Sequence, residues 1–196
     1  MKLSKNFSLA ELTKSQTATR MGRDNNPSME EQENLRLLCE RVLQPIRDHF
    51  NHPVLVTSGY RNQWLKSNAE IVSRKIGSSD ESQYCKGDQD QHCNGEAADF
   101  KIVGTPNNEV ADWIKENLMF DQLILEYSEP GQLNKGTNPS RNCGWIHVSY
   151  NKDLNRKEYL MTIKNAADNI EYKLILGLST DRYVKYRSPK YWNEII

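Results

Sequence analysis

Two histidines and one aspartate are the residues whose types and spacing could do chemistry. His92 and Asp99 stand seven residues apart in DQHCNGEAADF at 90–100, and His147 sits mid-way in GWIHVSY at 144–150. Asp99 falls inside the otherwise apolar run AADFKI. A carboxylate buried there without a partner is costly. Either Asp99 faces solvent while Ala98, Phe100 and Ile102 face inward, or it is paired with a cation. In the second stretch, alternation puts Trp145, His147 and Ser149 on one face and Ile146, Val148 and Tyr150 on the other. Imidazole and carboxylate are donors that zinc accepts, and three protein ligands leave one position open in a catalytic site. His92, Asp99 and His147 make such a set. Glu126, which ends DQLILE, offers a general base, with Glu129 as its competitor. Arg61 in TSGYR is either a solvated cation or a bidentate clamp for a substrate carboxylate.

These residues need elements to hold them. Ser8 and Glu11 have the spacing of a capping box, opening a short helix with Leu9 and Leu12 as its apolar face. KSQTATRMGRDNNPS is polar and turn-rich. Ser28 caps a longer helix on which Leu35, Leu38, Val42, Ile46 and Phe50 recur at helical spacing, and Pro45 predicts a kink or a break. HPVLVTSGYR reads as a strand and turn, and NQWLKSNAEIVSRKIG as a helix ending at Gly77. Residues 78–91 read as a loop, EAADFKIVG as a strand and TPNNEVADWIKENL as an amphipathic helix. FDQLILEY and GWIHVSY are strands joined by a long polar loop. EYLMTI and YKLILGL are strands or short helices, and the last fifteen residues are basic and aromatic. The order implies an α+β domain with a small, mostly antiparallel sheet. It divides into residues 1–151 and a C-terminal extension, 152–196, packed on them.

The totals bound the rest. A chain of 196 residues is long enough for one self-sufficient core, and a formal net charge of +0 gives no footprint for nucleic acid. Apolar runs such as LILGL are too short to insert in a membrane. The first residues, MKLSKNFSLAELTKS, do not read as a signal peptide, so the expectation is cytoplasmic synthesis. The four cysteines, at 39, 85, 93 and 143, contain no CxxC pair. Cys85, Cys93 and Cys143 with His147 are the alternative, structural zinc set, and a loop disulfide from Cys85 or Cys93 to Cys143 is a plainer one.

SGYR at 58–61, HCNGEAAD at 92–99 and GWIHVSY at 144–150 together resemble the zinc D-alanyl-D-alanine carboxypeptidase family, which includes phage endolysins. Its pattern is His-x-x-Gly-x-Ala-x-Asp followed by Trp-x-His. His92, Gly95, Ala97 and Asp99 fill the first motif, and Trp145 and His147 the second. NFSLAELTKSQTATR looks like the phage-type branch. The resemblance implies a hedgehog-like fold and Zn2+ on His92, Asp99 and His147. It implies hydrolysis within peptidoglycan stem peptides, by a monomer acting on the wall after release or from a virion. Arg61, with Ser58 and Trp145, is then expected on the substrate. The sequence departs from the pattern twice. Asp90 stands where similar proteins carry Ser or Thr, two residues before the first ligand. Gly144 stands where many place the general base, three residues before the last His, which leaves that role to Glu126 or Glu129. A noncatalytic wall-binding or virion module on the same fold is the alternative function.

Overall fold

The computed structural model describes residues 1–64, 90–126, 144–164, 170–175 and 183–186, with side chains through residue 162. The expected helix at 62–77, Cys85, Glu129 and Cys143 lie wholly or largely outside the described residues.

The chain opens with helices. α1 (Leu9–Leu12) starts at Ser8, whose hydroxyl accepts from Glu11 N. The segment read as polar and turn-rich contains a further short helix, α2 (Gln16–Arg20), because Ser15 caps it onto Ala18 N. Beyond it Asn25 is buried. Its Nδ2 donates to the carbonyls of Thr13 and Tyr60, each at 2.8 Å, and its Oδ1 accepts from Asn62 N. One amide therefore ties the α1 end to the turn that carries Arg61.

α3 (Met29–Leu38) has a complete capping box between Ser28 and Glu31. The expected break at Pro45 takes a specific form. Residues Cys39–Leu43 make a π-helical turn, and α4 (Gln44–Phe50) begins with Pro45 in its first turn. Proline has no N–H to give, and a wider turn just before it lets the chain run on with its apolar stripe in place. α4 ends on Asn51 in the left-handed conformation, at φ 51°.

The strands are β1 (Val54–Ser58), β2 (Ala97–Ile102), β3 (Gln122–Glu126), β4 (Trp145–Ser149), β5 (Glu158–Lys164), β6 (Ile170–Ile175) and β7 (Tyr183–Tyr186). α5 (Asn107–Asn117) lies between β2 and β3. Among the described residues they form a seven-stranded sheet in the order β1-β2-β4-β3-β5-β6-β7. The fold is α+β as expected. The β3–β5 pair is parallel and every other neighbouring pair antiparallel. The two stretches left open between strand and helix, EYLMTI and YKLILGL, contribute β5 and β6. The segment from 158 thus continues the sheet through β3. No helix of the described residues is long and apolar enough to cross a membrane.

One face of the sheet carries the core. Phe100 and Ile102 of β2, Leu123 and Leu125 of β3, and Ile146 and Val148 of β4 join Leu35, Leu38, Val42 and Ile46 and Val110 and Ile114 of α5 in one buried cluster. Burying such side chains is the main stabilising term, at about 1.5–3 kcal/mol each. It also sets the register: slipping β2 or β4 by one residue would put its carboxylate or imidazole into this cluster.

Candidate metal centre

Register places the chemistry on the opposite face. Asp99 of β2 pairs directly with His147 of β4. His147 pairs on its other side with Ile124 of β3, and Glu126 pairs with Trp145. β1 reaches the same face by an irregularity between Val56 and Ser58 that sets Ser58 against Asp99. Asp99, His147 and Glu126 are therefore brought side by side by strands far apart in sequence.

His92 arrives from a turn before β2. Asp90, at the position where similar proteins carry Ser or Thr, accepts from His92 N through Oδ1 at 2.9 Å, and its carbonyl accepts from Cys93 N. A short acceptor side chain is what that position needs. Gly95 has φ +72°, and a Cβ there would run into the carbonyl oxygen of Glu31. Gly95 therefore lets the turn pack on α3. Gly59 is wedged in the same way against the carbonyl of Leu12.

Three donor atoms converge: His92 Nε2, His147 Nδ1 and Asp99 Oδ1. Asp99 Oδ1 lies 2.9 Å from His147 Nδ1 and 3.3 Å from His92 Nε2, and the two imidazole nitrogens are 3.3 Å apart. All three residues are buried. The outer nitrogens face carbonyl oxygens. His92 Nδ1 is 2.8 Å from Gly59 O, and His147 Nε2 is 3.0 Å from Gln91 Oε1. Those oxygens only accept, so the outer nitrogens carry the protons and donate. With zinc bound, neutral rings in this orientation would turn their lone pairs inward, as metal ligands must. The donor set and both outer hydrogen bonds fit zinc. Asp99, which could have been an exposed strand residue, is 7% accessible and paired.

Charges in the cluster are mutually adjusted. Burial pushes the Asp99 carboxyl up, but the His92 and His147 rings beside it hold it well below the ordinary carboxylate range. Burial and the Arg61 cation lower His92. His147 is raised, because the hydrogen bond and charge of Asp99 outweigh its burial. Glu126 is pushed up to about 7 by burial and by the neighbouring Asp99 charge.

Arg61 and Ser58 sit beside this cluster. An Arg61 terminal nitrogen lies 3.4 Å from Asp99 Oδ2, and Arg61 Nε donates to Ser58 Oγ at 3.1 Å. Arg61 N also donates to the carbonyl of His92 at 3.3 Å. The arginine thus supports the outer oxygen of Asp99. Trp145 lies on the site face opposite Glu126. Gly144, which precedes it at φ +77°, has no side chain to offer, and Glu126 stands on the neighbouring strand across from Trp145.

Three residues that the sequence did not single out also belong to this neighbourhood. Gln91 Nε2 donates to Asp121 Oδ2 at 2.7 Å, and Asp121 in turn accepts from Arg156 Nε at 2.6 Å. Gln91 stands next to a candidate ligand, which is the one signal that pointed to it. Asp121 and Arg156 carry none. In the alternative zinc set, Cys93 is buried and is not part of the converging group, while Cys85 and Cys143 lie outside the described residues.

A family model, Peptidase M15, matches residues 5–130, well over half of the chain. The chain belongs to the M15 peptidases, the zinc D-Ala-D-Ala carboxypeptidase family. The match includes Arg61, His92, Asp99 and Glu126, and it ends before His147, which β4 brings to the cluster. A search of curated proteins finds no match. The family membership makes this chain one of the zinc metallopeptidases, acting generally on peptidoglycan-related substrates.

Proposed function

We propose that this M15 peptidase hydrolyses peptide bonds in the stem peptides of bacterial peptidoglycan, with zinc held by His92, Asp99 and His147. The observation that carries this reading is the convergence of His92 Nε2, Asp99 Oδ1 and His147 Nδ1, with the outer N–H of each ring engaged on a carbonyl oxygen. A zinc ion there supplies a Lewis acid and lowers the pKa of water to near neutrality.

The chain's own residues do the rest. Glu126 is the general base: its carboxylate takes the proton of the attacking water and hands it to the leaving amine nitrogen. A carboxyl held near pH 7 is suited to both halves of that transfer. Arg61 holds the outer oxygen of Asp99 and brings a cation to the edge of the site, where a substrate carboxylate is attracted. Ser58 orients Arg61 through Nε. Trp145, on the face that carries Glu126, offers an aromatic wall to the peptide.

The test is to incubate the zinc-loaded protein, and its Glu126→Gln variant, with a synthetic stem pentapeptide ending in D-Ala-D-Ala and with purified sacculi. Release of D-alanine from the pentapeptide identifies a carboxypeptidase. New amino groups in sacculi without D-alanine release identify an endopeptidase. Either activity must disappear in Glu126→Gln. Retention on sacculi with no cleavage overturns the hydrolase reading in favour of a noncatalytic wall-binding module.

A further inference from the structure

The outer side of His147 is held by a chain of residues that runs away from the site. His147 Nε2–H donates to Gln91 Oε1 at 3.0 Å. A primary amide can present either its oxygen or its nitrogen to a neighbour, so something must decide which way Gln91 points. Asp121 decides it. The Gln91 NH2 donates to Asp121 Oδ2 at 2.7 Å, and a carboxylate would repel the amide oxygen.

Asp121 is itself buried and needs its charge sustained. Arg156 does this with three bonds: Nε to Oδ1 at 2.6 Å, a terminal nitrogen to Oδ2 at 2.8 Å, and its backbone N to Oδ1 at 3.2 Å. The two side-chain bonds form the parallel fork that suits guanidinium and carboxylate. Burial pushes the Asp121 carboxyl up, and Arg156 more than offsets this and keeps it ionised. Arg156 lies beyond residue 130, where the family match ends.

We propose that Arg156 is a positioning residue for the metal centre, acting through Asp121 and Gln91 to hold the outer N–H of His147 and so to keep its Nδ1 turned to the metal. This rests on the assignment of His147 as a ligand. Were Asp121 to lose its charge partner, Gln91 could turn its NH2 toward His147 Nε2. The ring would then favour a proton on Nδ1, the nitrogen the metal needs. Groups that support a ligating histidine in this way typically contribute about 10–100-fold to metal affinity.

The experiment uses the full chain labelled with 15N-histidine. Zinc affinity is read by chelator competition, and solvent exchange of the His147 Nε2–H is read by NMR in the zinc-loaded protein. Wild type, Arg156→Ala, Arg156→Lys, Asp121→Asn and Gln91→Ala are compared. Expected are a zinc Kd weakened by about 10-fold or more in Gln91→Ala and Arg156→Ala, with faster exchange of the ring N–H in both. Asp121→Asn should follow them, and Arg156→Lys, which keeps a cation beside Asp121, should recover most of the loss. Unchanged affinity in Arg156→Ala overturns the proposal. So does weaker affinity with an unchanged N–H exchange rate, which marks a merely structural ion pair. Should Arg156→Ala not fold, Gln91→Ala and Asp121→Asn decide by the same two readouts. A wild-type protein that takes up no zinc sinks the metal-centre reading itself, a result distinct from variants that bind as wild type does.

Discussion

Asp99 and His147 are direct cross-strand partners, and the carboxylate of one lies 2.9 Å from the imidazole of the other. Neither side chain reaches across a loop to make this contact. It is built into the hydrogen-bonded ladder of β2 and β4, with Phe100, Ile146 and Val148 anchoring the same strands from the core face. A candidate ligand pair fixed by sheet register holds its geometry without metal, which lowers the ordering cost of binding.

Metal content follows from this pair. Wild type should carry one zinc per chain, and His147→Ala should carry essentially none, measured by atomic emission on protein dialysed against trace zinc. A variant with Cys85, Cys93 and Cys143 all changed to Ala should keep its zinc. Loss of metal in that triple variant would transfer the site to the set of three cysteines and His147. Chelation should abolish hydrolysis, and added zinc should restore it.

Glu126→Gln separates chemistry from binding. The substitution keeps shape and removes the base, so turnover should fall by about 10²–10⁴-fold, with zinc content as in wild type. A kcat reduced by less than a few fold would move the base elsewhere, Glu129 first.

Glu126 also sets a pH dependence of stability in the zinc-free protein. Its folded-state pKa, about 7, lies above the ordinary 4.5. Between those values the folded state holds a proton that the unfolded state has released. Stability from this group is thus complete below about pH 4.5 and lost as pH rises through 7. The span corresponds to at most about 3 kcal/mol. Urea unfolding of wild type and Glu126→Gln across this range should give curves that diverge, with the variant gaining relative stability as pH rises. Parallel curves would mean that Glu126 ionises normally.

The two wedged glycines should not accept a methyl group. At Gly95 the backbone is left-handed and a Cβ meets the carbonyl oxygen of Glu31, and at Gly59 a Cβ meets that of Leu12. Gly95→Ala and Gly59→Ala should each cost about 1–3 kcal/mol in denaturant unfolding. Gly59→Ala should also weaken zinc binding, because the Gly59 carbonyl holds the outer nitrogen of His92. Wild-type stability in both variants would show that the turns give way easily.

Much of the site could be read from the chain because it is local. The spacing of His92, Gly95, Ala97 and Asp99 is one turn running into one strand, and the alternation of GWIHVSY gives a core face and a chemical face. The helices of residues 29–50 were legible for the same reason: an apolar stripe at helical spacing has few other ways to be buried. Other features depend on what meets what. That Asp99 is buried and not exposed depends on His92, His147 and Arg61 closing around its carboxylate. Gly144 left the base undecided, and the register of β3 against β4 sets Glu126 on the face that carries His147. The role of Arg61 behind Asp99, the wedge at Gly95 and the chain from Arg156 through Asp121 and Gln91 join residues that are tens of positions apart. The sequence by itself determined which groups could bind a metal and which strands would carry them, since those follow from side-chain chemistry and period. The tertiary structure alone decided which atoms converge, which groups face their outer nitrogens and what holds them from behind, since hydrogen bonds and burial arise only where distant segments pack together.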